Sequence, residues 1–123
     1  MNKELWNKAV EYHGHQCGGL AYGFRMGEEA LNIFGKNAEI HCKIPSKNCI
    51  ADGITVVTGA SFENGRMTID ASLKNYIFFV PDDEEGWEIG RREMEFPGGN
   101  NPVAAILACG RDFLFTLVPV DMD

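Results

Sequence analysis

Apolar residues recur at helical spacing over the first third of the chain, and shorter apolar runs separated by turn residues follow. Leu5, Trp6, Ala9 and Val10 fall on one side of a helix that Asn2 can cap and that reaches about Tyr12. The segment His13-Gly14-His15-Gln16-Cys17-Gly18-Gly19 interrupts that periodicity. A second helix is expected from about Gly19 to Phe34, with Leu20, Phe24, Leu31 and Phe34 on spacing and Gly35 as a left-handed stop. Ala38 to Ile44 reads as a strand ended by Pro45. Ser46 or Asn48 can cap a helix from Cys49 to about Thr58, closed by Gly59. Its β-branched Ile50, Ile54, Val56 and Val57 leave a strand as the alternative there, and the caps favour the helix.

Asn64-Gly65 marks a turn before the alternating stretch Met67 to Asp70. Tyr76 to Val80 and Trp87 to Arg91 read as strands flanking the acidic run Asp82 to Glu85, a solvated loop tip. Pro97 to Pro102 reads as a loop, in which Asn101 caps and Pro102 starts a short helix from Val103 to Cys109. A strand from Phe113 to Val118 closes the pattern. The order of elements predicts an α+β fold: one domain over residues 1–123, with a largely antiparallel sheet packed with several helices.

Gly19, Gly23 and Gly27 lie four apart, on one stripe of the second helix. Each costs up to ~1 kcal/mol in a helix interior, so the stripe implies a close neighbour. That neighbour is another helix or the sheet, or else a ligand or a symmetry mate.

Composition narrows the class. The 123 residues suit one core, and 45% hydrophobic with 24% charged residues describe a globular chain. A net charge of -7 argues against nucleic acid as a partner. No apolar run approaches the ~20 residues of a membrane span, and the first residues lack the apolar core of a signal peptide. A cytoplasmic location is expected, where the four cysteines stay reduced.

The interrupted segment holds the candidate chemistry. Imidazole nitrogen and thiolate sulfur are the ligands preferred by zinc and similar divalent ions. In an extended segment His13, His15 and Cys17 would face one side; in a helix only His13 and Cys17 would. Cys17 also precedes a helix start, where the positive dipole end stabilises an anionic sulfur. These residues supply at most three ligands, so the site has an open position or is completed from elsewhere. Cys49, in the first turn of its helix, is the candidate fourth ligand, and Asp52 on the same face can hydrogen-bond an imidazole from behind. His41 and Cys42 point to opposite faces of their strand, and Cys109 reads as core. Tyr12 and Arg25 flank the segment and either bind an anionic ligand or form surface pairs. No serine triad, phosphate-binding loop, dinucleotide fingerprint or His-Glu-x-x-His motif is present.

Tyr12-His-Gly-His-Gln-Cys-Gly-Gly-Leu-Ala-Tyr-Gly-Phe-Arg25 resembles the signature of the FmdE family, a component of formylmethanofuran dehydrogenase together with its stand-alone relatives. Cys49-Ile-Ala-Asp52 leading into Thr58-Gly59 is similar to a second segment of that family, and Ile106 to Val118 to its closing helix and strand. The resemblance implies an α+β core, a homodimer, and a cleft where His and Cys of the first motif meet the second. It also implies association with a molybdenum or tungsten oxidoreductase whose catalytic centre lies in other polypeptides. Two positions depart from the family pattern. Gly18 replaces a proline, and Ala60 replaces a cysteine in the turn after Thr58-Gly59, which weakens any dithiol mechanism. Many relatives carry a C-terminal four-cysteine zinc module; none is present in this sequence, and a role that depends on it is not expected.

The leading expectation is a metal-binding protein that holds a divalent ion, zinc foremost, through His15, Cys17, His13 and Cys49, with Asp52 behind them. The alternatives are a small enzyme using metal or the Cys17 thiolate on a small oxygenated molecule, and an accessory component of a molybdenum or tungsten oxidoreductase.

Overall fold

The computed structural model describes residues 2–92 and 102–122. Helix α1 spans Lys3–His13 and α2 spans Gly18–Phe34; β1 is His41–Ile44 and α3 is Cys49–Thr58. Strands β2 (Met67–Ile69), β3 (Tyr76–Phe79) and β4 (Glu85–Arg91) follow, then α4 (Val103–Ala108), α5 (Arg111–Leu114) and β5 (Phe115–Asp121). The sheet order is β2-β1-β3-β4-β5. Only β1 and β2 pair in parallel, with α3 as the crossover that parallel strands require; the other three pairs are antiparallel. The architecture is α+β with a mostly antiparallel sheet, as the sequence pattern predicts.

Local signals start and stop the three long helices. Asn2 Oδ1 accepts from Leu5 N at 3.0 Å, and Asn48 Oδ1 accepts from Ile50 N at 2.9 Å. Gly14 and Gly59 end α1 and α3 in the left-handed region, at φ 101° and 81°. The cap on α3 contributes about 1 kcal/mol. Six β-branched residues at a few tenths each outweigh that cap, so the helix over 49–58 rests on burying Ile50, Ala51 and Ile54 in the core.

The glycine stripe faces α3. The two helices run side by side in the same direction, Gly19 against Cys49, Gly23 against Ile50 and Gly27 against Val57. A Cβ on Gly19 or Gly27 would come within 2.8 Å of the facing Cβ, and one on Gly23 would run into the Ile50 carbonyl. Gly53 of α3 returns the contact against the backbone of Leu20, Gly23 and Phe24. Beneath this pair, Leu20, Phe24, Met26 and Ile54 join Cys42, Ile44, Phe78 and Ile89 of the sheet in the buried core. Trp6 of α1 meets Phe24 edge-on, with ring centroids 5.3 Å apart.

Several boundaries differ from the sequence expectation. The first strand starts at His41 instead of Ala38, because Ala38 N donates to Gly35 O at 3.2 Å in the turn that closes α2. The last strand starts at Phe115 instead of Phe113, because residues 111–114 form α5 and pairing with β4 begins only at Arg91↔Phe115. Phe113 is consequently exposed. The helix after Pro102 ends at Ala108, which leaves Cys109 half-buried against the core instead of within it. The expected loop over 97–101 and its Asn101 cap lie outside the described residues. The acidic residues 82–85 are exposed, although Glu85 already belongs to β4. Among the described residues no helix is long and apolar enough to cross a membrane.

Candidate metal centre

Three helix ends meet at one point. His13 is the last residue of α1, Cys17 caps α2, and Cys49 opens α3. The polarity is complementary, since a cation suits the negative C-terminal end of a helix and sulfur anions the positive N-terminal ends. The chain reverses between α1 and α2 through Gly14, and this folds the His15 ring onto the His13 ring at 4.5 Å between centroids.

His13 Nδ1 lies 2.7 Å from Asp52 Oδ2, one turn into α3. Donation from Nδ1 to the carboxylate fixes the tautomer, so Nε2 carries the lone pair. Nε2 stands 3.6 Å from Cys17 Sγ, placed to accept from the thiol, while Sγ itself accepts a hydrogen bond from Leu20 N at 3.4 Å. One donor atom each from His13, His15 and Cys17 lies within 4.8 Å of the others. His13 and Cys17 are half-buried and His15 is exposed, so the cluster opens to solvent on the His15 side. Two imidazoles and a thiol at this separation, one imidazole already oriented by a carboxylate, fit a divalent ion of borderline softness.

Cys49 lies outside that mutual group of three. Interaction with the neighbouring Cys17 thiol holds its own thiol above the ordinary cysteine range, with burial and Asp52 pushing the same way and a backbone hydrogen bond opposing them. Asp52 meets the cluster through His13.

The remaining candidate residues lie elsewhere. Arg25 turns away from any ligand: its Nη1 lies 2.6, 3.1 and 2.7 Å from the carbonyls of Ile106, Leu107 and Cys109, and its Nε pairs with Glu28 at 3.2 Å. It closes the open carbonyl end of α4, a role hidden from the sequence because the partners lie more than 80 residues away. Tyr12 is 58% exposed. Cys42 is buried and His41 pairs with Glu39 at 3.0 Å, on opposite faces of β1. Ala60, where the family pattern carries a cysteine, is fully buried just beyond the C-terminal end of α3. It lies beyond the far end of the ten-residue helix that Cys49 opens, and a helix of that length spans ~15 Å.

The family model described as FmdE, molybdenum formylmethanofuran dehydrogenase operon, matches residues 12–103, from the tyrosine before the first histidine to the start of α4. This chain belongs to the FmdE family. It also superposes on a crystal structure of a tungsten formylmethanofuran dehydrogenase FmdE-like protein from Syntrophus aciditrophicus. That match has a TM-score of 0.79 at 17% identity, covering 98% of this chain and 72% of the other. At that identity the likeness speaks for the fold. A curated protein of Archaeoglobus fulgidus, a probable S-adenosyl-L-methionine-binding protein, is 30% identical over 81 residues, covering 59% of this chain. The match takes in only 22% of that relative's own length.

Proposed function

We propose that this FmdE-family protein binds a divalent metal ion, zinc foremost, through His13, His15 and Cys17, with Cys49 completing the set and Asp52 orienting His13. The observation that carries this reading is the meeting of two imidazoles and a thiol within 4.8 Å, with His13 held at 2.7 Å by a carboxylate. A bound ion would supply Lewis acidity at the open side of the cluster. Metal analysis of untagged protein tests the reading. Stoichiometric metal that falls sharply in Cys17→Ser is expected, and absence of metal, or content indifferent to that substitution, would overturn it.

A second reading has its own observation. Cys17, His13 and Asp52 stand in line as thiol, imidazole and carboxylate at 3.6 and 2.7 Å, the order of nucleophile, base and orienter. In metal-free protein, fast alkylation of Cys17 that slows in His13→Ala would favour a thiolate enzyme acting on a small oxygenated substrate.

For partners, we propose a cytoplasmic homodimer able to serve as an accessory to a molybdenum or tungsten oxidoreductase. The family's operon association supports the second part. Light scattering on purified protein, and co-purification of a molybdenum or tungsten enzyme from the native cell, test the two parts separately.

A further inference from the structure

The chain carries 18 acidic and 11 basic residues, yet three of the basic ones line one cleft. Lys74, Arg91 and Arg92 meet there beside Tyr22 of α2, Asn48 at the cap of α3 and Tyr76 at the start of β3. The cleft encloses about 550 Å³, within the range of small-molecule sites, and no carboxylate lines it among the described residues. Three cations on one cleft, with no acid among the described residues of its lining, make its potential positive and favour an anion there.

The donors are held in place. Arg91 lies over the Tyr22 ring, its guanidinium 5.4 Å from the centroid. Arg92 spends its Nε on Phe115 O at 3.1 Å, which fixes the plane of the fork and leaves both terminal nitrogens available among the described residues. Asn48 Nδ2 donates to Tyr76 Oη at 3.3 Å. Tyr76 is 6% exposed and lines the cleft, and with its oxygen accepting from Asn48 its hydroxyl hydrogen can turn toward an anion there. Asn75 is braced from behind, its Nδ2 donating to Glu88 Oε1 at 2.7 Å. Gly90 makes room for it, since a Cβ there would fall 2.9 Å from Asn75 Oδ1.

We propose that this cleft is a binding site for a small molecule bearing an oxyanion, a phosphate or a carboxylate, gripped by the Arg92 fork and the Tyr76 hydroxyl between Lys74 and Arg91. The site is independent of the metal cluster, although both use the start of α3: Asn48 faces the cleft and Cys49 follows it. Its test therefore runs on metal-stripped protein, where failure of the metal reading has no bearing. Inorganic pyrophosphate and citrate, probes of phosphate and carboxylate chemistry, are titrated at low ionic strength while backbone amide shifts are followed by NMR. Saturable shifts are expected at Asn48, Tyr76 and Arg92, and the tighter probe identifies the preferred anion. Arg92→Ala and Lys74→Ala should each weaken binding by about tenfold. Lys36→Ala, an exposed cation elsewhere, should leave it unchanged. Lys74 is exposed, so its variant keeps the test open should Arg92→Ala disturb the fold. No saturable shift with either probe, or shifts that respond to Lys36→Ala as much as to Lys74→Ala, would overturn the proposal.

Discussion

The Asp52 carboxylate lies 2.7 Å from the Nδ1 of His13, and this single contact ties the first turn of α3 to the last residue of α1. It decides which imidazole nitrogen faces Cys17. Replacing Asp52 with alanine should therefore lower metal affinity by about 10–100-fold while every proposed ligand remains. Chelator competition on the variant measures it. Affinity equal to the parent would show that His13 needs no orienting partner.

Gly23 supports a prediction about stability. Alanine favours a helix interior over glycine by ~1 kcal/mol, yet here a methyl group would meet the Ile50 carbonyl, which is backbone and cannot rotate away. Overpacking of this kind costs typically about 1–3 kcal/mol, occasionally more, so Gly23→Ala should be net destabilising by roughly that amount. Urea unfolding checks the sign. A stabilised variant would mean that α2 and α3 can separate without penalty.

Arg25→Met should loosen the C-terminal end of α4, leaving three carbonyls without their guanidinium. Hydrogen bonds to a charged group contribute about 1.5–3 kcal/mol each but are not additive, so a total loss of ~2–4 kcal/mol is expected. Amide exchange should rise first at the end of α4. Arg25→Lys should recover only part of it, because a single ammonium cannot reproduce the planar fork.

Tyr22 carries a pH dependence. Burial raises its phenol above the ordinary tyrosine value of 10.0, against a smaller opposing pull from Arg91. A folded value above the unfolded one means the neutral phenol favours the folded state. That contribution is fully present below the unfolded value and is lost as pH rises through the folded one. Absorbance titration should show a tyrosine step above the ordinary range, and Tyr22→Phe should remove that step.

What was legible in the sequence was what short-range chemistry decides. Asn2, Asn48, Gly35 and Gly59 announce helix ends because a cap acts within a few residues of itself, and the stripe at Gly19, Gly23 and Gly27 announces a close neighbour without naming it. His13, His15 and Cys17 were visible as a group because they are adjacent in the chain. The three-carbonyl grip of Arg25 and the convergence of Lys74 with Arg91 and Arg92 depend on strand pairing and on elements far apart in the chain. Nothing local marks them. Phe113 and Leu114 read as the start of a strand because both are apolar, whereas they close α5, with Leu114 buried and Phe113 facing solvent.

The backbone-to-backbone seam between α2 and α3 has a consequence for the sulfurs at its head. Side chains between two helices act as a compressible cushion, and here glycine has removed it. The spacing between the start of one helix and the start of the other is then dictated by main-chain atoms, which hardly yield. Cys17 and Cys49 ride on those two starts. An ion held by both sulfurs would have to fit a separation set by main-chain atoms, so a misfit in size would meet rigidity and not adjustment.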